Sequence, residues 1–245
     1  MKITAFGAIE YDLAQLSSAK SYFRKYYQGP FICDQGVEQL IDVLSCYGVP
    51  GSWLDLGAGP STLFWSIPLA GITKITCSDK SPEMLLTLRD FAESNEVPEC
   101  YQDILKICGK DESHLAKMRK LIRSYFLVDA LHPWHGHSIT ETFDLVTEFG
   151  CFGIAPSAEA FVNCIGYAKP AIRPDGMLIG ANWIRSNYFV ARYGGANDYL
   201  CVELITEAAT LHDMELLHVE VAPIKGDPDY NAVLIWVMKS TRQIP

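Results

Sequence analysis

The sequence predicts an α/β protein built on one mostly parallel sheet with helices on both faces. Three observations predict it. From about residue 50 onward, short apolar runs bounded by turn residues alternate with segments of helical periodicity, the order expected of βα units. The first run, Trp53-Leu54-Asp55-Leu56, breaks into Gly57-Ala58-Gly59-Pro60-Ser61, a sharp strand-to-helix turn. Four successive runs end in glycine or an acid, at Gly57, Asp79, Asp129 and Glu148, as in an open sheet that takes its ligand at the carboxyl ends of its strands.

Each element has its own signal. Residues 14–28 carry helical periodicity, with Leu16, Tyr22, Tyr26 and Tyr27 among polar neighbours. Residues 37–47 read as a second amphipathic helix, with Val37, Leu40, Ile41 and Leu44 near one side, and Gly48-Val49-Pro50-Gly51 breaks the chain after it. Gly57 and Gly59 permit positive φ and close backbone approach. A helix over 60–70 would present unpaired N–H groups to that turn. An adenosine-bearing ligand fits there. The dinucleotide fingerprint needs a third glycine where this chain has Thr62, which speaks against an NAD-dependent dehydrogenase. Ile72–Asp79 reads as the second strand, its terminal acid about 20 residues after the glycines, the spacing of a carboxylate on ribose hydroxyls. Ser81 and Pro82 supply an N-cap and a first helical residue for 82–95. Helices follow at 113–125, 157–170 and 198–212. Strands follow at 126–129, 143–149 and 176–182, and Glu215–Ala222 with Ala232–Lys239 pairs as an antiparallel hairpin at the sheet edge. The result is a Rossmann-like, seven-stranded sheet in a single domain over 1–245, with residues 1–50 as an N-terminal helical segment and 51–245 as the core.

Composition narrows the functions. A chain of 245 residues, 49% hydrophobic and 20% charged, can bury one large core. No apolar run spans a bilayer, and Met1–Phe6 lacks the apolar centre of a secretory signal, so a cytoplasmic protein without a membrane partner is expected. The net charge of −9 argues against nucleic acid as a partner; Lys117, Arg119, Lys120 and Arg123 sit at helical spacing as a solvated face. The eight cysteines form no C-x-x-C pair, which fits free thiols in a reducing compartment. His132, His135 and His137 stand close in sequence, but no acid or thiol at ligand spacing joins them. Pro133 and Gly136 mark a loop, and no metal is expected.

Four segments together resemble a known family: Tyr22-Phe23-Arg24-Lys25-Tyr26-Tyr27, Asp55-Leu56-Gly57-Ala58-Gly59-Pro60-Ser61, Arg173-Pro174-Asp175-Gly176 and Ser186-Asn187-Tyr188-Phe189. Over roughly 20–240 the chain is similar to the nicotinamide, phenylethanolamine and thioether methyltransferases, small-molecule enzymes of the class I type that use S-adenosyl-L-methionine (SAM). The resemblance implies SAM as cofactor, S-adenosyl-L-homocysteine (SAH) as product, a small-molecule substrate, a monomer or homodimer, and an N-terminal helical lid. It implies that Tyr22 and Tyr27 close over the methionine end and that Ser61 binds its carboxylate. Aromatic rings suit a sulfonium cation, although periodicity alone reads the same tyrosines as ordinary amphipathic packing. Asp55, Gly57, Ala58 and Gly59 would form the cradle, with Lys80 and Met84 beside it. Asp79 would hold the ribose hydroxyls through charge-assisted bonds. Asp129 would accept from the adenine amino group, with Ala130 offering its N–H.

The sequence departs from that family at the substrate end. Glu148 stands where the family has a small hydroxyl residue; it would orient an amine of substrate or cofactor, or pair with Arg185. Phe152 and Asn182 occupy the positions of the acids that anchor amine substrates. Phe149, Phe152, Trp183, Tyr188 and Phe189 suggest a flat or apolar substrate instead, hydrogen-bonded by Asn182 and Ser186. Tyr22, Glu148 and Tyr188 are the candidates for contact with the reacting groups. Methyl transfer is an in-line displacement that needs alignment and a dry site more than a strong base, so N- or S-methylation is the expected chemistry. Two other readings stay open: cyclisation of the SAM aminobutyrate arm with release of methylthioadenosine, and a SAM-binding partner subunit without catalysis.

Overall fold

The computed structural model of the chain describes residues 1–3, 6 and 9–241. Strand β2 (Gly51–Leu56) is its centre because Trp53, Leu54 and Leu56 bury both faces completely. It pairs in parallel with β3 (Ile72–Asp79) on one side and β5 (Phe143–Phe149) on the other. The full order is β1 (Lys2–Ile3), β4 (Ile122–Leu127), β3, β2, β5, β6 (Ile172–Arg185), β8 (Tyr230–Ser240) and β7 (Met214–Pro223). Strands β4 through β6 run parallel, whereas β1, β8 and β7 join antiparallel. The sheet thus has eight strands, not the expected seven. The added one is the two-residue β1, too short to carry a period of its own. The chain runs outward in both directions from β2, so the switch between β2 and β5 opens a crevice at their carboxyl ends.

Helices α1 (Leu13–Tyr27), α2 (Val37–Tyr47), α4 (Pro82–Glu93), α5 (Glu99–Ile107) and α6 (Glu112–Leu121) cover one face. Helices α7 (Ala158–Ala168) and α9 (Val202–Leu211) cover the other. Short helices α3 (Thr62–Trp65) and α8 (Asn187–Tyr193) sit at the carboxyl edge. The caps follow the sequence: Asp12 accepts from the Ala14 and Gln15 amides, and Ser81 from Met84. α1 packs mainly along α4 and touches α5.

Several boundaries differ from expectation, among them the strand expected over 176–182, which runs over Ile172–Arg185. The helix expected over 60–70 is one turn, because Pro68 lacks an N–H and disfavours helical geometry before it. The helix expected over 113–125 stops at Leu121, and Ile122–Leu127 pairs with β3 instead; Asp129 therefore lies in the loop beyond that strand. The last helix starts at Val202 rather than 198. α5 and α8 were not expected as separate helices: Pro98 at the N-cap of α5 offers no side-chain hydrogen bond, and the seven residues of α8 are too few to show a helical period.

Candidate active site

The crevice is built around the turn after β2. Gly57 and Gly59 both have positive φ, +65° and +49°, where a Cβ is strained. Their surroundings differ. A Cβ on Gly57 would lie 2.5 Å from Cys151 Cβ and 2.7 Å from its Sγ, whereas one on Gly59 meets nothing within 4 Å. Gly57 thus packs against the β5 loop, and Gly59 faces open space. The Ala58 amide donates to the Ser78 carbonyl at 2.9 Å, which keeps Ala58 buried and pins the turn to β3.

Asp79 closes β3 directly beside this turn. Its Oδ2 accepts from the Gly59 amide at 2.9 Å and its Oδ1 from the Ser81 amide at 2.8 Å. Burial raises its pKa, opposed by those amides and by Lys80. Each oxygen retains a lone pair for a further donor. Lys80 itself is exposed and Met84 is half-buried at the start of α4. Asp129 is exposed; its Oδ1 accepts from the Leu131 amide at 3.1 Å, and its Oδ2 lies 3.9 Å from His132 Nε2. Ala130 is buried beneath it. The loop is tied to β3 because the Val128 amide donates to the Asp79 carbonyl at 3.0 Å.

Asp55 points away from the crevice. It is buried, and its two oxygens accept from the Thr62 hydroxyl at 2.6 Å and the Thr147 hydroxyl at 2.8 Å. Trp53 Nε1 in turn donates to Thr147 at 2.8 Å. Desolvation pushes the Asp55 pKa up to about 7 despite both hydroxyls. Its place is a clamp joining β2, α3 and β5 rather than a wall of the cradle.

Ser61 is the meeting point of the turn with α1. Its Oγ donates to the Ala58 carbonyl at 3.1 Å and accepts from Trp65 Nε1 at 3.2 Å. The Tyr27 phenol lies near Ser61 and near the Tyr22 phenol; burial holds Tyr27 far above its usual range. Tyr22 is raised too, chiefly by the Tyr27 phenol, then by burial, with Tyr26 and Tyr230 adding to it. The structure therefore brings Tyr22, Tyr27 and Ser61 close together over the turn.

On the β5 side the outcome is mixed. Phe149 packs on Trp65, with ring centroids 4.9 Å apart, and Trp183 is half-buried against Gly150. Glu148, Phe152 and Asn182, expected at the pocket, are fully buried. Side chains alternate along β5, so Glu148 turns toward α7 and α9, the opposite side from Thr147. Glu148 Oε2 accepts from the Phe152 amide at 2.9 Å and from Asn182 Nδ2 at 3.1 Å, and Trp236 Nε1 donates to Asn182 Oδ1 at 3.3 Å. Glu148 Oε1 has no partner, and burial keeps the carboxyl far above its usual range. The expected pairing with Arg185 does not form: that guanidinium bonds the Gly195 carbonyl instead.

Ser186 caps α8, accepting from the Phe189 amide at 3.1 Å and donating to the Pro228 carbonyl at 2.5 Å. Tyr188 is exposed, with its hydroxyl accepting from Arg192 at 3.0 Å. Phe189 lies 5.8 Å from Tyr230 at an interplanar angle of 30°. Tyr230, Tyr26 and Cys151 were not legible as site residues, because only the β6–β8 register and the packing of α1 bring them here. Among the described residues no group of His, Cys, Asp and Glu could hold a metal ion, and no helix is long and apolar enough to cross a membrane.

No protein-family model and no curated protein matches the sequence. Solved structures do resemble the chain. The N-methyltransferase NodS from Bradyrhizobium japonicum WM9 in complex with SAH shares 15% identity, with a TM-score of 0.58 over 93% of this chain and 98% of that one. Magnesium protoporphyrin IX methyltransferase (ChlM) from Synechocystis PCC 6803 with bound SAH shares 14%, with a TM-score of 0.60 over 92% and 95%. A putative methyltransferase in complex with the Haloferax volcanii Trm112 activator shares 12%, with a TM-score of 0.61 over 96% and 100%. At such identities the likeness establishes the fold, a mixed α/β sheet of the kind these methyltransferases use.

Proposed function

We propose that the chain is a SAM-dependent methyltransferase acting on a small molecule by N- or S-methyl transfer, as a monomer or homodimer in the cytoplasm. The observation that carries the reading is the open, positive-φ Gly59 set against the Asp79 carboxylate at a sheet switch point. That arrangement admits a nucleoside closely and offers its hydroxyls a charged acceptor. The shared fold with methyltransferases crystallised with SAH supports it.

The residues present fit such a group. Asp79 would accept from the ribose hydroxyls. Asp129, exposed in the loop beyond β4, would accept from the adenine amino group above Ala130. Ser61 and the phenols of Tyr27 and Tyr22 would take the amino-acid end, with α1 as the covering lid. When bound, SAM supplies an electrophilic methyl group on a sulfonium that leaves readily. The chain's own contribution is alignment and dryness: α1 excludes water above the turn, while Phe149, Trp183 and Phe189 wall the acceptor side. Glu148 and Asn182 act from beneath by fixing the turn that follows β5.

Isothermal titration with SAH and SAM tests the binding, and mass analysis of turnover products tests the chemistry. Binding with SAH as product supports methyl transfer. Methylthioadenosine as product would replace it with arm cyclisation, and binding of NADH in place of SAM would overturn both. Binding without turnover of any acceptor would leave a partner subunit.

A further inference from the structure

The Arg185 guanidinium is a half-buried charge at the carboxyl end of β6. Among the described residues no carboxylate lies within ion-pair distance of it; the arginines that do pair are Arg89 and Arg173. Its backbone amide donates to Asn197 Oδ1 at 2.9 Å, and its Nη1 donates to the Gly195 carbonyl. The rest of the fork is left without a protein acceptor. The charge sits over the Phe189 ring, 5.1 Å from its centroid, and the Phe189 ring centroid lies 5.8 Å from that of Tyr230 at a tilt of 30°. The nearby acids are turned elsewhere. Asp227 accepts from the Asp229 and Tyr230 amides at 2.7 and 3.2 Å, and Asp229 acts on Lys25.

This charge is connected to the turn after β2. Tyr230 pairs with Arg185 across the strands, Tyr22 feels the Tyr230 phenol, and Tyr22 reaches Ser61 through Tyr27. Tyr230, the cross-strand neighbour of Arg185, therefore stands near Tyr22, so the uncompensated guanidinium lies on the side of the sheet end that carries the proposed methionine end. A guanidinium fork matches a carboxylate bidentately, and a cationic amine would meet like charge there.

We propose that the acceptor of this enzyme is a planar molecule carrying a carboxylate, which Arg185 anchors while Phe189 and Tyr230 stack on the ring. This rests on the methyltransferase reading. Among the described residues no carboxylate compensates Arg185, so the guanidinium sets a preference for an anionic group.

The test titrates the SAH complex with benzoate, benzamide and benzylamine, and repeats it with Arg185→Gln and Arg185→Lys. Benzoate is expected to bind at least about tenfold tighter than the other two, as a charge-assisted fork predicts. That preference disappears in R185Q and weakens in R185K. SAH affinity stays unchanged in both variants. Equal binding of benzylamine, a benzoate preference that survives R185Q, or no benzoate binding to the SAH complex overturns the proposal while leaving the methyltransferase reading intact. Failure of the wild-type protein to take up SAH overturns that reading instead.

Discussion

Asp55 and Asp79 close neighbouring strands, yet the fold uses them oppositely. Asp79 keeps lone pairs toward the crevice, and its place was legible because a strand-ending acid at that spacing has few other uses. In the proposed binding mode Asp79 accepts from the ribose hydroxyls, so Asp79→Ala is expected to lower SAH affinity about 10- to 100-fold, some 1–3 kcal/mol, by calorimetry. Unchanged affinity would remove Asp79 from the site. Asp55 was not legible, because its partners Thr62 and Thr147 meet it only through the β2–β5 register. Its folded pKa of about 7 exceeds an unfolded value of about 4. The folded state therefore holds a proton that the unfolded chain has released. Its contribution is complete below about pH 4 and lost as pH rises toward 7, at up to ~1.4 kcal/mol per unit. Asp55→Asn removes that slope, so urea unfolding should show the variant gaining on wild type between pH 5 and 7. Parallel profiles would contradict the burial assignment. Glu148, also raised, adds a slope of the same sign that this variant leaves in place.

Turns and helices were legible where chemistry is local. Ser81-Pro82 fixed the start of α4, and Gly57-Ala58-Gly59 fixed the turn after β2. Legibility failed where two periods fit one stretch: Ile122-Arg123-Ser124-Tyr125 continues a helix as readily as it begins a strand, and pairing with β3 decided for the strand. The two glycines of the turn separate stability from binding. Gly57→Ala drives a methyl into Cys151 as well as straining the backbone, and should destabilise by about 2–4 kcal/mol. Cys151→Gly in the same chain should restore the steric part, read as a recovered melting temperature. Gly59→Ala has room for its methyl and carries only the backbone cost, about 1 kcal/mol. It should nonetheless lose most SAH affinity, because the methyl occupies the approach path. Normal binding by G59A would show that the ligand lies elsewhere.

At the scale of the molecule, the alternation of elements announced a parallel sheet with an antiparallel hairpin, and the structure has both. What no local pattern announced is how the ends of the chain converge. α1, near the beginning, and Tyr230, on the last hairpin, come near each other at the crevice because β8 inserts between β6 and β7. The proposed acceptor wall is therefore assembled from segments remote in sequence, and only the sheet order sets its composition. The same convergence gives the molecule a built-in optical probe. Of its five tryptophans, Trp65 is the one whose indole N–H is held by Ser61, with the Phe149 ring 4.9 Å away. Its emission should shift or quench as SAH is titrated in, saturating at the calorimetric stoichiometry, and Trp65→Phe should abolish the change. A signal that persists in W65F would assign the response to Trp183 and distance the nucleoside from Ser61. Occupancy of the crevice can then be followed by light alone, without label or turnover.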